Sequence, residues 1–271
     1  MANNHDYMLF FTERGRCFWL KVYEIPEGGK TSKGRAIQNM INLPKDDKVM
    51  AYVNTKDLKD EEYINSHYIV MCTKKGVVKK TLLEQYSRPR TNGINAITIR
   101  EGDQLLEAKM TDGESQIMIA ARSGKCIRFE ESKVRSMGRT ASGVRGIRLR
   151  DEKDVVIGMI CVNDMESSVL VVAENGYGKR SSIDQYRITN RGGKGVIGIT
   201  LTKAHGEVVA SFAVDSNDQI MLIDDSGKLI RCPVTDIRIM GRNTQGVKIF
   251  NIEETSTVVS VERIIEQNGD Q

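Results

Sequence analysis

QIMIAARSG, residues Gln116 to Gly124, and ASGVRGI, residues Ala141 to Ile147, are the two segments on which the fold turns. The first is an apolar run that stops at a glycine, and the second is a glycine that opens another apolar strand. Between them lie a short strand carrying basic residues and a polar loop. The same order recurs four more times. Its openings are YMLFFTERG, YIVMCTKKG, VLVVAENG and QIMLIDDSG, which with Gly124 end at Gly15, Gly76, Gly176 and Gly227. The second segments are SKGRAI, TNGINAI, GKGVIGI and TQGVKIF, with glycines at Gly34, Gly93, Gly195 and Gly246 beside Gly143. Successive first glycines are 61, 48, 52 and 51 residues apart, successive second glycines 59, 50, 52 and 51. Within a unit the two lie 19, 17, 19, 19 and 19 apart, a regularity that makes the chain five copies of one module.

Each module holds several segments of five to seven residues rich in Val, Ile, Met and Tyr, punctuated by Asn-Gly and Ser-Gly. That is how strands and hairpins read. No helical periodicity is sustained, so the expected fold is all-β, a propeller-like array of small antiparallel sheets. The units run about 6–55, 66–113, 114–164, 166–215 and 216–265 within one domain, 1–265, and a polar tail fills 266–271. The long first spacing comes from a charged insert, Lys56 to Asn65, which reads as a short helix or exposed loop. The first glycines supply the positive φ of tight hairpins. The second set follows polar loops, where close approach of backbone to backbone, or of backbone to phosphate, would demand glycine.

Composition excludes several classes. With 39% hydrophobic and 28% charged residues the chain can bury a core, and its apolar runs are far shorter than the ~20 residues of a spanning helix. The first ten residues lack a secretory pattern, so an intracellular location is expected. Five scattered cysteines without a CxxC pair argue against disulfides and zinc. The net charge of +4 decides nothing until its distribution is known.

The repeat supplies that distribution. Four residues after the first glycine stand Trp19, Lys80, Arg128, Arg180 and Arg231, with Lys79 and Lys179 adjoining two of them. Four before the second stand Lys30, Pro89, Arg139, Arg191 and Arg242, with Arg90 one place along in the second unit. Lys33, Arg35, Arg145, Lys194 and Lys248 flank the second glycines. Repeated in register, these cations would form a positive band suited to a phosphate backbone; the bland alternative pairs each with a nearby acid such as Glu130, Glu131, Asp184 or Asp236.

Catalytic patterns are absent from the sequence. His5, His67 and His205 fall at unrelated places in the repeat. Gly138–Gly143 and Gly241–Gly246 share the glycine spacing of a P-loop, but Val144 and Val247 stand where its lysine belongs.

The segments Glu174 to Ile199, Met240 to Ile249 and Ser132 to Leu149 closely resemble the C-terminal domain of DNA gyrase A, and the likeness runs from about Asp6 to Ile265. It implies a β-pinwheel, a propeller-like array of four-stranded blades that exchange strands, wrapping double-stranded DNA on a basic outer edge. It further implies a non-catalytic part of a bacterial, cytoplasmic, nucleoid-associated type II topoisomerase. The partners would be the rest of gyrase A and gyrase B in an A2B2 complex, with no membrane involved. No cofactor is implied for this domain; ATP and Mg would act elsewhere in the holoenzyme. The family's hallmark box of basic residues and glycines belongs to a first blade, which the resemblance places ahead of residue 1. A related loop, Asn190, Arg191, Gly192, Gly193, Lys194 and Gly195, lies in the fourth unit, and the likeness assigns DNA contact to Arg191 and Lys194. The equivalent domain of topoisomerase IV is the alternative within the class. A protein-binding propeller of kelch or WD40 kind is the alternative outside it, although neither signature is present.

Overall fold

Strands account for nearly all the regular structure of the computed structural model, which describes residues 2–29, 31–56, 58–162, 164–253 and 255–264. The expected tail 266–271 and Lys30 lie outside the described residues. The chain divides into two compact units, Met1–Ser115 with Glu131–Gly146, and Gln116–Glu130 with Ile147–Gln271.

In the first unit, β1 (Tyr7–Thr12) and β2 (Arg16–Lys21) form a hairpin and β3 (Val49–Thr55) pairs on the far side of β1. A second hairpin joins β4 (Tyr68–Thr73) to β5 (Val77–Leu82). Then β6 (Ile94–Asn95) crosses back to pair with β2, while β7 (Leu105–Thr111) pairs with β4.

The second unit repeats the plan. A hairpin of β8 (Gln116–Ala121) and β9 (Lys125–Glu130) opens the third sheet. The two-residue strand β10 (Val144–Arg145) belongs to the first unit, because it pairs with β5. That exchange is why Glu131–Gly146 groups with the second sheet rather than the third. β11 (Val156–Val162) completes the third sheet's own strands, and β12 (Ser168–Ala173) with β13 (Tyr177–Ser182) begins the fourth. β14 (Val196–Ile197) returns to β9, and β15 (Val208–Val214) pairs with β12. The fifth sheet holds β16 (Gln219–Asp224), β17 (Leu229–Pro233) and, after β18 (Val247–Lys248) has returned to β13, β19 (Val258–Ile264). Four sheets are therefore four-stranded, each borrowing one short strand from the following repeat, and the fifth is three-stranded among the described residues.

Burial follows from this plan. All of Ser168–Ala173 is buried, which is why that strand reads as an unbroken apolar run rather than an alternation. β16 instead alternates, and β17 is half-buried or exposed throughout. In the first unit a core centres on Leu9, Phe11, Ile69, Met71 and Tyr86. Within the second, one cluster gathers around Met118, Val169 and Tyr186 and another around Leu170, Ile220 and Val258. The charged insert contains α1 (Glu61–Ser66), where the Asp60 side chain accepts a hydrogen bond from the Tyr63 amide at 3.1 Å as an N-cap.

Both glycine sets have a structural reason. Gly15, Gly76, Gly124, Gly176 and Gly227 turn the five hairpins with φ between +78° and +83°. In the second set, Gly34 apart, the close approach is of backbone to backbone. A Cβ on Gly143 would stand 2.7 Å from the Val78 carbonyl oxygen, and one on Gly246 2.7 Å from that of Gly178. These glycines let a loop lie directly on the preceding repeat's strand.

Candidate nucleic-acid interface

The 3-10 turns that follow the hairpins explain the most conspicuous row of cations. Arg128 on β9 donates from Nη1 to the carbonyls of Ile183 (2.8 Å) and Tyr186 (3.1 Å), in the turn of the next repeat. Arg180 on β13 donates from Nε to the Ile237 carbonyl at 2.7 Å. On β5, Lys80 reaches Glu131 at 3.5 Å, and that carboxylate also accepts from the Thr111 hydroxyl at 2.8 Å. Trp19, at the same place in the first repeat, donates from its indole to the Tyr86 carbonyl at 3.0 Å. What this position needs is a donor that stitches one repeat to the next, which is why an indole can replace a cation. The expectation that Lys80, Arg128 and Arg180 face DNA is corrected: they are only 7%, 4% and 6% exposed.

Lys79 and Lys179 are corrected likewise, because both are fully buried. The Lys79 ammonium donates to the carbonyls of Ala96 and Arg139, each at 2.6 Å. Lys179 donates to those of Gly241 (2.6 Å) and Arg242 (2.5 Å). They sit beneath loops whose arginines remain accessible, and their charge is spent on carbonyl oxygens.

The remaining expected contacts lie nearer the surface. In the first unit Lys33, Arg35, Arg90 and Arg145 are exposed and Arg139 is half-buried on the loop Gly138–Gly143. In the second, Lys194, Arg231 and Lys248 are exposed, while Arg191 and Arg242 are half-buried. The box-like loop is pinned from both ends: the Thr189 amide donates to the Arg128 carbonyl and the Arg148 amide to the Gly193 carbonyl, each at 2.8 Å. Asn190 and Lys194 project from it. Gly192 and Gly195 both take positive φ, +78° and +69°. Arg242 lies across its neighbours, donating from Nε to the Gln185 carbonyl at 2.9 Å and from Nη1 to that of Ile197 at 2.8 Å. Those contacts orient its guanidinium along the loop.

The chain's likeness to known proteins fits this arrangement of exchanged strands and basic loops. A family model described as DNA gyrase C-terminal domain, beta-propeller, matches residues 6–54, 67–112, 115–163, 167–215 and 218–265. The chain belongs to the DNA gyrase C-terminal domain family. It is 41% identical over 271 residues to the DNA gyrase A protein of Salmonella typhimurium, covering 100% of this chain and 30% of that protein. Against the DNA gyrase A protein of Staphylococcus epidermidis identity is 40% over 267 residues, covering 98% of this chain and 29% of that protein. It thus spans about a third of these relatives. Among solved structures, the C-terminal domain of DNA topoisomerase IV superposes with a TM-score of 0.87 at 25% identity, covering 97% of this chain and 80% of that one. A DNA gyrase A C-terminal domain superposes at 0.79 with 24% identity, covering 97% and 84%, which speaks to fold alone. The pinwheel expected from the resemblance is the fold observed.

Sequence reasoning missed a second row in this gyrase-family fold. Arg135, Arg187 and Arg238 stand eight residues before the second glycine of the third, fourth and fifth repeats. Each follows the buried apolar residue that closes the 3-10 turn, Val134, Tyr186 or Ile237, and all three arginines are exposed. In the second repeat Gln85 stands at that offset, and Arg88, three residues on, is exposed. The next residues, Ser136, Ile188 and Ile239, form single parallel bridges to Lys80, Arg128 and Arg180. The backbone is thereby fixed one step from the arginine. The eight-residue offset was available in the sequence; what hid it was the more regular row of buried donors. Among the described residues no three potential ligands cluster as a metal site, and no helix is long and apolar enough to cross a membrane.

Proposed function

We propose that this chain is a non-catalytic DNA-binding and DNA-wrapping domain of DNA gyrase A, acting on double-stranded DNA. The reading rests on one observation above the rest: arginines recur at fixed offsets before the exchanged strands, exposed at Arg135, Arg187 and Arg238 and half-buried at Arg139, Arg191 and Arg242, with exposed Arg90 one place off the second offset. A cation set by backbone geometry and repeated by a module recognises what is itself repeated, the sugar-phosphate backbone, and carries no base readout.

Duplex DNA held along such a row bends, at a cost of about 1–6 kcal/mol for smoothly deflecting 20–30 bp by 40–90°. Counterion release offsets that cost, with log K falling by roughly 0.9 per decade of salt for each phosphate contacted. A fixed handedness of wrap would present a neighbouring DNA segment in one direction, which is how the domain would support ATP-dependent negative supercoiling by the holoenzyme. Its partners would be the remainder of gyrase A and gyrase B in an A2B2 complex, in the bacterial cytoplasm at the nucleoid. ATP and Mg would serve other domains.

The equivalent role in topoisomerase IV is the second reading, favoured by the 0.87 TM-score, whereas the relatives by sequence are gyrase A proteins. Ligation of nicked circles on the chain separates them. A chiral wrap shifts the trapped linking number in proportion to bound protein, and binding without such a shift counts against the gyrase reading.

A further inference from the structure

Two isoleucines stand in solvent among the arginines. Ile188 and Ile239, seven residues before the second glycine of the fourth and fifth repeats, are 47% and 57% exposed. Apolar side chains scattered singly over a surface need no explanation, but these two share one register. The same place in the third repeat holds Ser136. It makes to Lys80 the same single parallel bridge that Ile188 makes to Arg128 and Ile239 to Arg180. The module therefore forms that bridge without an apolar side chain, and folding does not account for the isoleucines.

The backbone beside each is fixed. The Thr189 amide donates to the Arg128 carbonyl and the Met240 amide to the Arg180 carbonyl, each at 2.8 Å, and the Arg180 amide donates to the Arg238 carbonyl at 3.1 Å. Arg128 and Arg180 are themselves anchored on the carbonyls of Ile183 and Ile237. A β-branched side chain is stiff at χ1, so an isoleucine on a pinned backbone is a preorganised apolar knob with little conformational freedom left to lose on contact. Cations flank both knobs. Ile188 follows exposed Arg187 and precedes half-buried Arg191 and exposed Lys194. Ile239 follows exposed Arg238 and precedes half-buried Arg242 and, beyond the glycine, exposed Lys248. A ligand that matches this surface offers negative charge and apolar surface at close spacing. Duplex DNA does so, because its phosphates alternate with deoxyriboses that present C–H faces.

We propose that Ile188 and Ile239 pack against the deoxyriboses of bound duplex DNA, giving the interface an apolar component beside its phosphate contacts. This rests on the DNA-binding reading and accounts for a part of the affinity that salt does not remove. Arginine–phosphate contacts release counterions and set the slope of log K against log salt. Isoleucine–sugar contacts release water instead. They raise log K by the same amount at every salt concentration and make the heat-capacity change of binding more negative. One titration series separates the two kinds of residue, the arginines by its slope and the isoleucines by its height.

The test compares I188S/I239S, which installs the third repeat's side chain, with the original 271-residue chain. Both are titrated with a random-sequence duplex over a range of salt and temperature, and with inorganic polyphosphate, which carries backbone-like charge and no sugar. We expect duplex affinity to fall about threefold to tenfold at every salt concentration, with parallel slopes, a less negative heat-capacity change and unchanged polyphosphate binding. I188V/I239V keeps a branched apolar side chain and should retain most of the duplex affinity. I188T/I239T, branched at the same carbon but carrying a hydroxyl, gives the serine expectation in smaller measure should the serine variant fold poorly. Unchanged duplex affinity in a folded serine or threonine variant overturns the proposal alone and leaves a protein surface as the occupant of the knobs. A loss shared equally with polyphosphate, or one accompanied by a shallower salt slope, also overturns it. An absence of any duplex binding by the original chain at low salt overturns it together with the DNA reading.

Discussion

Two rows of basic side chains share one spacing and meet opposite fates. Lys80, Arg128 and Arg180 follow the hairpins and are buried against the next repeat's 3-10 turn, while Arg135, Arg187 and Arg238 follow those turns and stand in solvent. A cation that recurs in a repeat protein has two sources of recurrence: contact with a periodic ligand, and contact with the next copy of the module itself. Trp19 distinguishes them. Its indole replaces the cation and keeps the hydrogen bond, so that position selects a donor rather than a charge.

The largest expected effect of breaking the comparison is at the buried row. Arg128→Ala leaves the Ile183 and Tyr186 carbonyls without that donor, and we expect about 2–4 kcal/mol lost from unfolding stability by denaturant titration. DNA affinity of the fraction still folded should keep its salt slope. Next comes Gly246→Ala, which puts a Cβ 2.7 Å from the Gly178 carbonyl at a φ of +79°. It should cost about 1–3 kcal/mol and increase hydrogen exchange across β18, since both backbone strain and a clash are introduced. Trp19→Phe keeps the ring and removes one hydrogen bond, for about 0.5–1.5 kcal/mol, read as a lower Tm without loss of cooperativity. The smallest stability effect is at the exposed row, where Arg135→Gln, Arg187→Gln and Arg238→Gln should each leave unfolding within about 0.5 kcal/mol of the original.

The module was legible because glycine recurs twice per repeat, at the positive φ of the hairpin turn and, in the second to fifth repeats, where a Cβ on Gly93, Gly143, Gly195 or Gly246 would run into a neighbouring strand's carbonyl. Short strands between those glycines left all-β as the consistent reading. Strand exchange was available only through the family likeness, since β6, β10, β14 and β18 are two residues long and carry no periodicity of their own. The candidate site was half legible. Charge and spacing found the loops of Arg90, Arg139, Arg191 and Arg242, but charge alone does not tell a lysine that meets solvent from one like Lys79, whose ammonium is enclosed by carbonyls. Gly138–Gly143 and Gly241–Gly246 are set aside as P-loops because Val144 and Val247 stand where the lysine belongs. Their shared glycine spacing belongs to loops seated on a buried lysine and has no bearing on nucleotide phosphates.

The most direct measurement is the salt dependence of affinity for a random-sequence duplex, compared between the original chain and the triple variant R135Q/R187Q/R238Q at a temperature where both are folded. The account predicts a steep negative slope for the original chain. In the variant it predicts a slope shallower by about 0.9 for each phosphate contact removed, with affinity lowered alike for all DNA sequences. An identical slope in the two proteins, or a loss confined to particular sequences, would contradict it.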